Sequence, residues 1–349
     1  MRLGINLGYW GAGNDADNLA LAREADRLGY SVAWAAEAYG SDAATVLAWV
    51  AAQTERIDIG SAVFQIPGRT PANTAMTAAT LDTLSGGRFR LGLGVSGPQV
   101  SEGWHGVRFD KPLARTREYV DVVKLALSRR KVQYDGEFFT LPLPDGPGKA
   151  LVLTVHPVRE QIPIYLAAIG PKNLELTGEI ADGWLAIFFA PEHADELTSH
   201  VAAGRAKVGK TLEGFDVVPT VPVVFGDDVA ACADPLRAYC SLYIGGMGSR
   251  EKNFYNQLAS RMGYEAAAAE VQDKYLARDY DGAGAAVPFE FIDRTALIGP
   301  RERVQERLHA YAAAGVTTLS VATYAPTLDE RLTTLRTMAE ILDASGLGD

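Results

Sequence analysis

LDTLSGGRFRLGLGVSGPQVSEGWHGV, residues 81–107, runs a helix end, a buried strand and a glycine-rich loop together without a break. Leu81 and Leu84 close the helix, and Gly86 and Gly87 stop it, because glycine accepts the left-handed conformation of a helix C-cap. Residues 88–94 read as a strand, and the loop at 95–103 bends at Gly97 and Pro98. A loop leaving the carboxyl end of a parallel strand is where α/β proteins place their ligands. Small residues at such a bend let the backbone approach a flat ring; they equally suit an ordinary turn between strand and helix.

Outward from this unit the same alternation repeats. Strands are expected at 2–8, 31–36 and 57–64 before it, and at 162–168, 183–188, 215–225 and 317–322 after it. Helices fall between them at 15–28, 43–53, 71–84, 111–129, 171–180, 192–207, 229–243, 301–314 and 328–344, the first with apolar residues at Leu19, Ala22, Ala25 and Leu28 and a stop at Gly29. Residues 131–155 interrupt the rhythm with a hairpin turning at Asp135-Gly136 and an irregular proline- and glycine-rich loop. A helical, tyrosine-rich region spans 253–280 with a break near Gly263, and 281–288 reads as a loop. Alternating strands and helices predict parallel strands with right-handed crossovers. The expected fold is α/β, a (β/α)8 TIM barrel in one domain over 1–349, with insertions near 131–155 and 250–290. A doubly wound open sheet is the alternative, but no GxGxxG follows the first strand.

The 349 residues are 48 % hydrophobic and 22 % charged, ordinary for a globular protein with a large core. A net charge of -10 argues against nucleic acid or an anionic membrane as the main partner, since both select clustered Lys and Arg. Cys232 and Cys240 stand on one expected helix, about 12 Å apart by helical rise, beyond the ~7 Å that a disulfide spans, so free thiols are expected. No signal-peptide pattern and no long apolar run is present, so a cytoplasmic protein is expected. Its expected partners are a small-molecule substrate and further copies of itself, as a homodimer or higher homo-oligomer.

Three strand-to-helix junctions carry the chemical signal, and in a barrel all three open on one face. After the second strand Glu37 leaves one carboxylate at the strand end, suited to a ligand or to acid chemistry, or equally to solvent. After the third, Gln65, Pro67, Gly68 and Pro71 suggest a bulge that could back a planar ring. After the fifth, Ile169-Gly170-Pro171-Lys172-Asn173 combines a flexible glycine, a proline suited to the first helical position and the free N–H groups of a first turn, which together make a phosphate site; a proline-started helix with a solvated lysine is the plainer reading. Tyr9 and Trp10 lie just past the first strand, where aromatics can wall a pocket. Glu102 and His105 follow the fourth strand and offer protons, whereas His156, His193, His200 and His309 suit the surface. No HExxH metal spacing, GxSxG elbow or catalytic-cysteine signature occurs.

Taken together, GYWG at 8–11, AEAYGSDA at 36–43, the 81–107 stretch, FDKPLARTREY at 109–119, GPKNLELTGEIADGW at 170–184 and YIGGMG at 243–248 resemble the luciferase-like monooxygenase superfamily. More closely, the chain is similar to the actinobacterial branch of coenzyme F420-dependent oxidoreductases. The resemblance implies a bacterial luciferase-like barrel with a deazaflavin at the carboxyl ends of the strands, moving hydride between its C5 carbon and a small organic substrate. It implies a cis peptide at Ala62-Val63 behind the ring and a phosphate held by Gly170, Pro171, Lys172 and Asn173, with the rest of the cofactor site drawn from Gln65, Ser96, Gly97, Pro98, Gln99 and Ile169. Two departures limit what carries over. Sugar-phosphate dehydrogenases of the family place Asp-His where this chain has Glu37-Ala38, and the methylenetetrahydromethanopterin reductases place a glutamate where it has Asn6. The proton donor is therefore open among Glu37, Glu102, His105 and Tyr9. An FMN-dependent monooxygenase using oxygen and a non-catalytic cofactor binder are the other readings.

Overall fold

Strand and helix alternate through the computed structural model, which describes residues 1–11 and 15–348. The strands β1 (Arg2–Asn6), β2 (Val32–Ala35), β3 (Asp58–Ser61), β4 (Phe89–Gly94), β5 (Ile164–Ala167), β6 (Gly183–Ile187), β7 (Asp216–Phe225) and β8 (Thr318–Thr323) pair in parallel. β7 joins β6 on one side and β8 on the other, and β8 joins β1, so among the described residues the 8 strands close into a barrel. The open sheet is excluded. Outside it run α1 (Asp15–Arg27), α2 (Ala43–Ala51), α3 (Pro71–Leu84), α4 (Pro112–Leu127), α5 (Pro171–Ile180), α6 (Ala194–Lys207), α7 (Arg301–Ala313) and α8 (Leu328–Ser345).

Strands buried on both faces need near-continuous apolar or small residues, and every residue of β4 is buried. Gly92 within it is forced by space: a Cβ there would lie 1.9 Å from the Ser61 carbonyl. The helices meet the strands in one large apolar layer that includes Ile5, Leu47, Ile59, Phe89, Tyr119 and Met338. α5 and α6 approach so closely that a Cβ on Gly178 would sit 2.0 Å from the Val201 carbonyl.

The barrel interior is closed at the amino ends of its strands. Trp34 and Tyr165 meet edge to face with centroids 5.2 Å apart, beside Val32 and Val218. Beneath them Arg90 bonds Asp58 at 2.8 Å and Asp216 at 3.3 Å, and the Tyr165 and Thr318 hydroxyls donate to Asp216 at 2.9 and 2.8 Å. A buried charge this well surrounded is paid for by its partners, and the plug leaves only the carboxyl ends of the strands for a ligand.

Both expected insertions are present. The first pairs Tyr134–Asp135 antiparallel with Thr140–Leu141. The second comprises helices Phe254–Ala259, Glu265–Leu276, Tyr280–Ala285 and Phe289–Thr295, with Gly263 breaking the chain at φ 91°. It buries a second apolar cluster that includes Leu236, Ile244, Leu258, Val271 and Phe291, seated on Phe188 past the end of β6. Three details correct the sequence reading. Residues 98–103 form a helix, Pro98–Gly103, rather than loop, since Pro98 takes the first helical position after Gly97. Tyr280–Ala285 is helical despite its glycines because the Asp279 side chain caps the Gly282 N–H at 2.9 Å. A short strand, Leu297–Gly299, extends the sheet beside the second half of β7. Cys232 and Cys240 are buried free thiols. Among the described residues no helix is long and apolar enough to cross a membrane.

Candidate active site

The strand ends stack in register on one rim. Leu7 N–H donates to the Trp34 carbonyl at 2.9 Å, Ala36 to Gly8 at 3.0 Å and Ala62 to Ala35 at 2.8 Å, so Tyr9, Glu37 and Ala62 emerge side by side. The Ala62-Val63 peptide is cis. Val63 then lies across β4, where a Cβ on Gly94 would come within 2.5 Å of Val63 Cγ2 and 3.9 Å of Ala167 Cβ. Ala62, Val63, Gly94 and Ala167 thus make a low apolar floor that glycine keeps flat.

A polar brace holds that floor from behind. Glu37 accepts a hydrogen bond from Arg69 at 2.6 Å and longer ones from the Gln65 and Ala43 N–H groups at 3.3 Å. Arg69 also bonds Asp42 and lies 4.6 Å above the Phe64 ring. Burial works against the Arg69 charge, but Glu37 and Asp42 outweigh it and raise its pKa. Gln65 donates to the Ala38 carbonyl and accepts from the Ser96 hydroxyl at 3.0 Å. Glu37 and Gln65 therefore spend their hydrogen-bonding capacity tying the loops after β2, β3 and β4 together. Glu37 is thus committed to an ion pair and two backbone N–H groups.

The fourth-strand candidates separate. Ser96 turns at φ 62° and Gln99 is exposed, its carboxamide folded back on Gly97. Glu102, its side chain 44 % exposed, accepts from the Phe109 N–H at 3.1 Å; it serves its own loop and meets none of the other candidates. His105 lies against Gly68, where a Cβ would be 3.0 Å from its Cε1, and its Nε2 is buried without a partner.

At the fifth junction Gly170 precedes α5 without any capping side chain, and Pro171 takes the first position. Asn173 donates to the Ala167 carbonyl at 3.3 Å, tying the helix start to the strand end. Arg261, from the helical insertion, donates to the Ile169 carbonyl at 3.1 Å, and Lys172 is exposed beside it. The Asn173 and Leu174 N–H groups already bond the Gly170 carbonyl at 3.0 and 2.9 Å, which leaves the Lys172 N–H, the positive end of the helix and the two cations to favour an anion there.

Opposite stands a wall of aromatics. Phe188 packs on Tyr239 at 5.5 Å, Tyr243 at 5.8 Å and Phe291 at 5.2 Å, and Tyr243 packs on Tyr255 at 4.8 Å. Tyr324, just past β8, meets Tyr239 at 5.5 Å. Tyr9 is 42 % exposed. Burial raises the Tyr9 pKa, with repulsion from Tyr39 adding to it, and pushes Tyr255 up to about 12. Among the described residues no group of three or more His, Cys, Asp or Glu side chains could hold a metal ion.

The luciferase-like monooxygenase family model matches residues 8–318. The chain belongs to the luciferase-like monooxygenase family. Within it, a Mycobacterium tuberculosis protein provisionally assigned as a coenzyme F420-dependent oxidoreductase is 44 % identical over 92 % of this chain and 94 % of its own length. A 5,10-methylenetetrahydromethanopterin reductase of Archaeoglobus fulgidus is 29 % identical over 84 % of this chain and 85 % of its own. The coenzyme F420-dependent tetrahydromethanopterin reductase of Methanopyrus kandleri superposes with a TM-score of 0.82 at 23 % identity, covering 97 % of each chain, which shows the shared fold.

In this luciferase-like barrel the cis bond falls on the pair that the resemblance implied. The rim brings together Tyr9, Ala62, Val63, Ser96 and the Gly170–Asn173 turn, while Glu102 bonds its own loop and Gln99 folds back on Gly97. Tyr239, Tyr255 and Tyr324 were not singled out from the sequence, and Tyr243 entered only as the first residue of YIGGMG. Of the four only Tyr255 lies in the tyrosine-rich 253–280 region, and no local pattern shows that these rings gather beside Phe188 and Tyr324, past the ends of β6 and β8.

Proposed function

We propose that the protein is a coenzyme F420-dependent oxidoreductase that transfers a hydride between the deazaflavin C5 and a small organic substrate. The observation that carries this reading is the pairing of the Ala62–Val63 floor with the uncapped start of α5 on the same barrel face. The residues present fit such a group: the floor is flat and apolar, space opens beside Gly170, and Lys172 and Arg261 flank the anion position. The 44 % identity to the F420-named relative favours deazaflavin over FMN. When bound, the cofactor would supply two-electron hydride chemistry, which the side chains alone cannot.

The chain's own residues have separate tasks. Ala62, Val63, Ser96, Gly97 and Pro98 would orient the ring, held in place through Gln65 and Glu37. Gly170, Lys172 and Asn173 would hold the phosphate. The aromatic wall would exclude water and position the reacting carbon near one ring face, the kind of placement that lowers a barrier through lost freedom already surrendered on binding. The test is a side-by-side titration of the purified protein with F420 and FMN. Tighter binding of F420, weakening as salt rises because its tail is polyanionic, supports the reading. Far tighter FMN binding would favour the oxygen-using monooxygenase, and binding of both without turnover of any carbonyl, enone or alcohol would favour a non-catalytic binder.

A further inference from the structure

The outward faces of α2 and α3 depart from the pattern of the other outer helices. Each of α1 and α4–α8 carries at least three charged residues, as a helix between core and water should. In α2 and α3 the one charged residue is Asp82, which is buried and accepts from Arg159 Nε at 2.8 Å. What these helices show to water is Thr45, Trp49, Met76, Thr80 and Leu84, with Trp49 45 %, Met76 54 % and Leu84 65 % exposed. The Trp49 ring is held edge-on by Trp10, centroids 5.5 Å apart, so it stands fixed at the surface. The two helices pack side by side. The Asp82–Arg159 bond extends the patch, because it lays Val158, 59 % exposed, beside the end of α3, where a Cβ on Gly87 would be 3.2 Å from Val158 Cγ1. By helical rise α3 is about 21 Å long, and two helices ~9 Å apart with the flanking run are about 25 Å across. That is a footprint on the order of 500 Å², the size that marks an association site; a polar rim brings it to the ~800 Å² per partner of a stable interface.

We propose that this face is a two-fold interface with a second copy of the chain, and that closing it steadies the cofactor floor. A two-fold contact sets one surface against itself, so a charge near its centre meets its like. The chain carries a net charge of -10, and two copies repel each other over most of their surface. The α2–α3 face is where they can meet without setting like charges together. Ala48 and Ala72, small and outward between the larger side chains, let two helix pairs approach closely as a four-helix bundle. The link to the floor runs through the helix starts. Asp42 caps α2 on the Thr45 N–H at 2.8 Å and bonds Arg69, which leads directly into Thr70, the cap of α3. Arg69 also holds Glu37 at 2.6 Å, the brace behind Ala62 and Val63. Clamping α2 against α3 therefore fixes the spacing of Asp42 and Arg69, and with it the brace.

Only the link to the floor rests on the cofactor reading, and the experiment separates the two. The full chain is weighed by sedimentation equilibrium as wild type, as Met76→Glu and Thr80→Glu, both at exposed helical positions where glutamate is well tolerated, and as Leu276→Glu, an exposed apolar position in the helical insertion. Circular dichroism checks the fold of each, and each is titrated with F420. The expected result is about 75 kDa, twice the 37.4 kDa of one chain, for wild type and Leu276→Glu, and 37.4 kDa for the other two with native dichroism. Those two should also bind F420 about fivefold more weakly, the low end of a coupling between sites. Wild type at 37.4 kDa overturns the interface and leaves the face to another partner; Met76→Glu and Thr80→Glu remaining at 75 kDa overturn its location. Monomeric variants with wild-type F420 affinity overturn the link to the floor. Failure of wild type to bind F420 overturns the cofactor reading and with it that link, while the masses still decide the interface.

Discussion

Replacing Glu37 by alanine removes the acceptor of one ion pair and two backbone N–H groups while leaving the rest of the loop intact. The 2.6 Å bond from Arg69 is charge-assisted and its partners are 14 % and 11 % exposed. Breaking a well-buried pair costs about 3–5 kcal/mol, but Arg69 keeps Asp42, and the 3.3 Å contacts lie beyond the usual range for N–H donors. The net expectation is therefore ~2–3 kcal/mol for alanine and ~1 kcal/mol for Glu37→Gln, which keeps an acceptor oxygen. Urea unfolding measures the loss, and titration with F420 should show weaker binding in the alanine variant, because the floor loses its support. An alanine variant within about 0.5 kcal/mol of wild type, the range of an ordinary surface change, would refute the brace.

Further outcomes follow from other parts of the structure. Lys172→Glu should weaken F420 by up to about 30-fold at low salt, the equivalent of ~2 kcal/mol at a helix start, as read by equilibrium titration; unchanged affinity would remove the phosphate from α5. Gly94→Ala would put a Cβ within 2.5 Å of Val63 Cγ2 and tilt the floor, so F420 affinity should fall while thermal unfolding remains cooperative. Hydrogen bonding from Arg27, against the opposing push of burial and with help from Arg336, holds the Glu24 carboxyl down at about 2. A depressed folded pKa adds stability above the unfolded value near 4.5 that disappears as pH falls towards 2. Glu24→Gln, at the seam of α1 and α8, should thus cost about 1 kcal/mol at pH 7 and nothing at pH 2 in denaturant titrations at the two pH values.

The barrel was legible because its signal is local and repeated: apolar strands such as 88–94 and 317–322 alternate with helices stopped by Gly29, Gly86 and Gly315. The helix start at Gly170–Asn173 was legible for the same reason, since a glycine and a helix-starting proline are neighbours in the chain. The Pro98–Gly103 helix was hidden because so few residues cannot display a helical period. The role of Glu37 was hidden because its partner, Arg69, lies 32 residues further on. Tyr243 meets Phe188 and Tyr255 only once the insertion has folded back, its carbonyl held by the Asn253 side chain at 3.0 Å, a contact that no spacing along the chain reports.

The most direct measurement is diffraction from crystals grown with F420. The account predicts a ring lying on Ala62 and Val63, the cis bond retained, a phosphate within hydrogen-bonding distance of the Lys172 or Asn173 backbone, and the tail leading past Lys172 and Arg261 to solvent. A ring bound elsewhere on the barrel, or a phosphate remote from the start of α5, would contradict it.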